Sequence, residues 1–163
     1  RALIGKLPQS ELICGFVSGK AELEHWDPSE LVSFYFDTVP LVGGLAFVRP
    51  QVTQAAARRA VLAAACGIYH ACCHNVLFDN SADVLESIYK SAFFLLRVKH
   101  FAETGVFLRR RADLLSQLSP PERSMLENSD TIAGDEARRS AASERLILWA
   151  GDLISEYGAQ PED

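Results

Sequence analysis

Two long stretches of helical periodicity, separated by about two residues, constrain this chain more than any other feature. Residues 51–78 form the first, with Pro50 near its start and alanines at 55–57 and 63–65. Alanine is the strongest helix former, and its small side chain lets helices approach closely. Leu62, Cys66, Tyr69 and Cys73 recur at three- and four-residue steps, which predicts a buried stripe flanked by Ile68 and Val76. Residues 81–104 form the second, with Leu85, Ile88, Ala92, Leu95 and Leu96 on one face. Asn80 or Ser81 caps its start and Gly105 suits a left-handed stop. So short a link turns the second helix back along the first, and the expectation is an antiparallel pair.

The remaining segments add shorter helices. Asp27, Pro28 and Glu30 read as a capped start with proline at the first helical position. Pro40 and Gly43-Gly44 then break the chain. A short helix is expected over about 109–118, and Ser119-Pro120-Pro121-Glu122 is a capping box opening another through about 128. A last helix is expected over about 135–157, with Leu146, Trp149, Leu153 and Tyr157 on one face and Gly158 as its stop. The predicted fold class is therefore all-α: an up-and-down bundle of about five to six helices around the pair at about 51–78 and 81–104. Residues 51–158 would form the bundle and 159–163 a loose tail. Residues 1–50 are weakly patterned and partly helical, with Leu12, Ile13, Phe16 and Val17 interrupted by Gly15 and Gly19. The chain starts at Arg1 rather than Met, and residues 1–50 are read as the remnant of a preceding domain.

Composition narrows function by exclusion. Apolar residues make up 48%, enough for a core, and the formal charge is −5. That acidic balance argues against general nucleic-acid binding. No stretch reaches the ~18 consecutive apolar residues a membrane helix needs. Residues 58–73 come nearest, interrupted by Arg58, Arg59 and His70. No secretory signal is evident. The four cysteines are Cys14, Cys66, Cys72 and Cys73. Neighbouring Cys72 and Cys73 diverge by about 100° on a helix, which disfavours a disulfide between them, and free thiols fit a cytoplasmic protein.

No complete catalytic motif is present. Cys66, His70 and Cys73 share one helix face, with His74 beside them, and zinc favours such ligands. Three ligands on one straight helix span about 10 Å of rise, too far for one ion, so only Cys66 and His70 remain as a weak two-ligand clamp. A Cys–His nucleophile built from these residues lacks an orienting third group. Arg97 precedes His100 by three positions, which does not match the Arg-then-His spacing of helical ribonuclease domains. Neither phosphate-binding glycine loop occurs. "CGFVSGKAELEHWDPSE" lacks the paired acids with which a nucleotidyltransferase holds magnesium.

The arginines are the last candidate. Arg109, Arg110 and Arg111 open a basic helix, and Lys90 and Arg97 lie seven apart on the helix before. Together they are candidate residues of a cationic wall for a phosphate or an acidic partner. The plainer reading is a solvated face, with Glu103, Asp113 and Glu122 close in sequence.

"SIYKSAFFLLRVKHFAETGVFLRRRADLLSQLSPPERSML", residues 87–126, resembles the helical, HEPN-like C-terminal half of bacterial nucleotidyltransferase-domain proteins. The resemblance covers about forty residues and rests on a long helix, a Thr-Gly stop and a basic helix. It implies an accessory or substrate-binding bundle, inactive alone, beside a catalytic domain supplied in cis or in trans. Lys90, Arg97 and Arg109–Arg111 would then approach the substrate cleft. The catalytic acids have no counterpart here, so no cofactor is expected in this chain, and magnesium only where such a domain is supplied elsewhere. The competing expectation is a homo-oligomerising interaction module, in which the alanine-rich helix packs on another copy. A lone helical enzyme or ligand binder using the Cys/His face is the third.

Overall fold

The computed structural model describes Lys6 and residues 18–127 and 136–159. The stripe of Leu12, Ile13, Phe16 and Val17, the thiol of Cys14 and most of the tail lie outside the described residues. Among those described, seven α-helices and no strand occur: α1 (Lys20–Glu24), α2 (Pro28–Asp37), α3 (Gln54–His74), α4 (Ala82–Thr104), α5 (Arg111–Gln117), α6 (Pro120–Glu127) and α7 (Glu136–Gly158). A 3-10 turn at Arg49–Gln51 leads into α3, and a π turn at Asn75–Asp79 ends it. The fold is an all-α helical bundle.

Local chemistry sets most of the ends. The Thr53 side chain accepts from the Ala56 amide, so α3 starts there, later than Pro50 suggests. Ser81 caps α4 by accepting from the Val84 amide, while Asn80 takes the left-handed turn at φ 42°. Gly105, at φ 75°, closes α4 as expected. Arg110 is extended and serves as the N-cap of α5, which therefore starts two residues later than predicted. At α2, Asp27 accepts from the Ser29 amide, but Glu30 does not close the capping box. It accepts from the Trp26 indole instead, at 2.7 Å.

The predicted antiparallel pair is present, and α7 joins it. Gln54 at the start of α3 donates to the Ala102 carbonyl at the end of α4. Tyr69 and Leu62 of α3 lie against Gly151 and Gly158 of α7, so α7 also runs antiparallel to α3. It is thus parallel to α4: Tyr89 donates to the Ala142 carbonyl (3.2 Å), and Tyr157 to Glu103 (3.1 Å), at nearly constant register. Burial raises the pKa of both phenols.

The expected stripe on α3 is rotated. Its buried face is Ala57, Val61, Ala65, Ile68 and Cys72, each one position before the predicted residue or beside it. Cys66 and Tyr69 are exposed, and Leu62 and Cys73 half-buried. The cause is that α3 sits between two neighbours: small residues fill the centre and the larger Leu62 and Tyr69 reach sideways over the glycines of α7. On α4, Leu85, Ile88, Ala92, Leu95 and Leu96 are all buried, as the pattern predicts. Leu23, Leu31, Val32, Val48 and Val52 belong to the same core, so packing continues across residue 50.

Candidate functional site: the arginine clasp and the face of α3 and α4

The cationic residues separate into two groups. Arg97 is buried, with 5% of its surface exposed. Its guanidinium meets both carboxylate oxygens of Asp37 at the end of α2, and its Nε donates to the Leu108 carbonyl at 3.0 Å. Phe93, Phe94 and Phe107 surround it, the last with its ring centroid 4.7 Å away. Such a guanidinium locks α2 and the 105–110 loop onto α4 and presents no free donor fork to a phosphate. Arg111 is also engaged: it donates to the Leu126 carbonyl at 2.6 Å, in the last turn of α6, and stacks over Phe93. Lys90, Arg109 and Arg110 are exposed. The sequence-predicted wall is therefore part clasp and part solvated surface.

The Cys/His face points outward. Cys66 and His70 are both exposed. His74 lies beside His70, their ring centroids 6.3 Å apart, but its Nδ1 is 3.1 Å from Asp79 in the π turn and its ring contacts Phe78. Among the described residues no group of three or more His, Cys, Asp or Glu is placed to hold a metal. Buried Cys72 is the opposite case, its thiol pushed up to about 12 by burial and by neighbouring Cys73.

The feature that sequence reasoning missed lies beside these residues. A shallow groove of about 290 Å³ runs between α3 and α4, lined by Ala64, Gly67, Ile68, Ala71, Ile88 and Ser91. Gly67 is open: a side chain added there meets no atom within 4 Å. Gln54–Asp79 is apolar enough in length and composition to cross a membrane, yet only 28% of its most apolar stretch is buried. Helices α4 and α7 on either side carry exposed charges such as Glu86, Lys90, Glu144 and Arg145, which a lipid environment would penalise. Beyond the groove, Phe94 is 41% exposed and Val76, Leu77 and Phe78 are 50–73% exposed. The only sequence signal for this surface was the surplus of alanine over what one core-facing stripe needs.

A second cleft, of about 190 Å³, lies at the far end between the π turn and the start of α7, lined by Asn75, Ser81, Arg139, Ser140 and Ser143 among others. Asn75 is buried there with both its amide nitrogen and oxygen engaged, exchanging hydrogen bonds with the Ser81 backbone. It braces the turn between α3 and α4. Comparison of the chain with protein-family models, with curated proteins and with solved structures finds no match to any of them.

Proposed function

We propose that this chain is a helical protein–protein interaction module that works by self-association, with no reaction centre of its own. The observation that carries this reading is the uncharged groove of small residues between α3 and α4, on a helix far more apolar than its burial requires. Small residues let a second helix come close, so the surface suits a helix better than a small polar ligand. The free thiols of Cys66, Cys72 and Cys73 support a reducing, cytoplasmic setting. Light scattering across a dilution series tests the reading: it expects a dimer mass that falls with dilution, and a monomer mass at every concentration would reject it.

One observation favours a second reading, the accessory bundle of a nucleotidyltransferase-like protein. Lys90, Arg109 and Arg110 remain exposed, where they would face the phosphates of a substrate held in the cleft of another domain. Its anchor is weaker than the sequence suggests, because Arg97 and Arg111 are already engaged. Thermal melting with millimolar ATP separates the two: the accessory reading expects a raised melting temperature by mass action, and the interaction module expects none.

A further inference from the structure

The π turn that ends α3 changes which side chains meet. Its i→i+5 bond runs from the Asn80 amide to the Asn75 carbonyl at 2.7 Å. Five residues of α-helix turn through about 500°, which would leave positions 74 and 79 on different faces. The wider winding of the π turn brings Asp79 back over His74, with its carboxylate 3.1 Å from the His74 Nδ1. A carboxylate only accepts, so in the neutral imidazole Nδ1 carries the proton and Nε2 keeps its lone pair. Phe78 packs on the same ring at 4.9 Å between centroids and supports that orientation. His70 lies one turn earlier, its ring centroid 6.3 Å from that of His74, and both histidines are exposed.

We propose that His70 and His74 form a two-histidine site for a divalent transition ion of the zinc class, with Asp79 as its positioning residue. Side chains at i and i+4 are neighbours on a helix surface, and imidazole nitrogen suits zinc, copper and nickel. Both rings are at the surface, so small side-chain rotations bring their nitrogens to the distance of about 2.0–2.1 Å that zinc needs. A carboxylate behind a ligating imidazole holds its orientation and raises its basicity. The ion would also sit at the C-terminal end of a 21-residue helix, where the helix dipole favours positive charge. Two protein ligands leave the remaining coordination positions to water. Ala71 follows His70, where the His-Glu-x-x-His pattern of zinc peptidases carries its general base, so the site binds an ion and does not hydrolyse. The thiols are poorer partners: Cys72 is buried, Cys73 half-buried, and exposed Cys66 lies two turns from His74. A single chain suffices, with no need of self-association.

Isothermal titration of zinc chloride into the metal-free full chain, under a reductant that does not bind zinc, gives the test. The wild type should take up one ion per chain at this site. His70→Gln and His74→Gln remove exposed side chains, so circular dichroism should not change. Each should weaken binding about a hundredfold, because losing one imidazole loses the chelate. Cys66→Ser should bind as the wild type does. No saturation of the wild type at millimolar zinc, or binding that survives both histidine changes, overturns the site. So does loss on Cys66→Ser with His74→Gln unaffected, which would place the ion between Cys66 and His70. Asp79 has its own readout. Its pair with His74 is half-exposed and worth little by itself, so without zinc Asp79→Asn should melt with the wild type. With zinc it should bind about tenfold more weakly, the scale of a lost outer-shell partner. Unchanged affinity in Asp79→Asn would overturn its positioning role.

Discussion

Arg97 in α4 and Asp37 at the end of α2 stand sixty residues apart in sequence and form a two-pronged ion pair, the arginine side buried and the aspartate half-open. The pair ties the N-terminal helices to the bundle. Asp37→Ala leaves the guanidinium buried beside Phe107 without its counter-charge, which costs more than the pair's net worth. The expected loss is about 2 kcal/mol in urea unfolding, below the range for fully buried pairs because Asp37 is partly solvated. An unchanged unfolding midpoint would show that the clasp does not hold the fold.

Asp27 gives a pH dependence. Hydrogen bonds from the Ser29 amide and hydroxyl, with the Arg59 charge 2.9 Å away, hold its carboxyl below the ordinary 3.8. A carboxylate with a depressed folded-state pKa stabilises fully above its unfolded value, and that contribution is lost as pH falls through the folded one. Asp27→Ala should therefore melt below the wild type at neutral pH, and the gap should close as pH falls below 3.8. A gap that stays constant into acid would contradict the cap.

The thiols should divide sharply in reactivity. Cys66 is exposed on α3, whereas Cys72 is sealed in the core with its pKa raised to about 12. Brief alkylation at neutral pH, read by peptide mass spectrometry, should label Cys66 and spare Cys72 until denaturant is added. Early labelling of Cys72 would mean that α3 is not packed as described.

Much of the architecture was legible because caps and apolar faces are local. The Ser81 cap, the Gly105 stop and each step of the buried row on α4 depend on residues no more than about a turn away in sequence. The face of α3 was not, because alanine marks a helix without marking a side. With alanine on most of its circumference, the choice between Val61–Ala65–Ile68–Cys72 and Leu62–Cys66–Tyr69–Cys73 depends on what packs against it. That was decided by α7, and by glycines 151 and 158 far along the chain. Arg97 failed as a predicted surface cation for the same reason: its partner Asp37 is set by the tertiary path of α2. Of the candidate site, the arginines were visible in sequence and their engagement was not. The groove appears only when two helices lie side by side.

The central claim is that the groove between α3 and α4 is occupied by another copy, and Gly67 tests it most directly. In the single chain a side chain at Gly67 enters open space, so Gly67→Trp should fold with unchanged circular dichroism. Sedimentation equilibrium of the wild type beside Gly67→Trp should give a dimer and a folded monomer respectively. A wild-type monomer, or a tryptophan variant that dimerises as tightly as the wild type, would contradict the account.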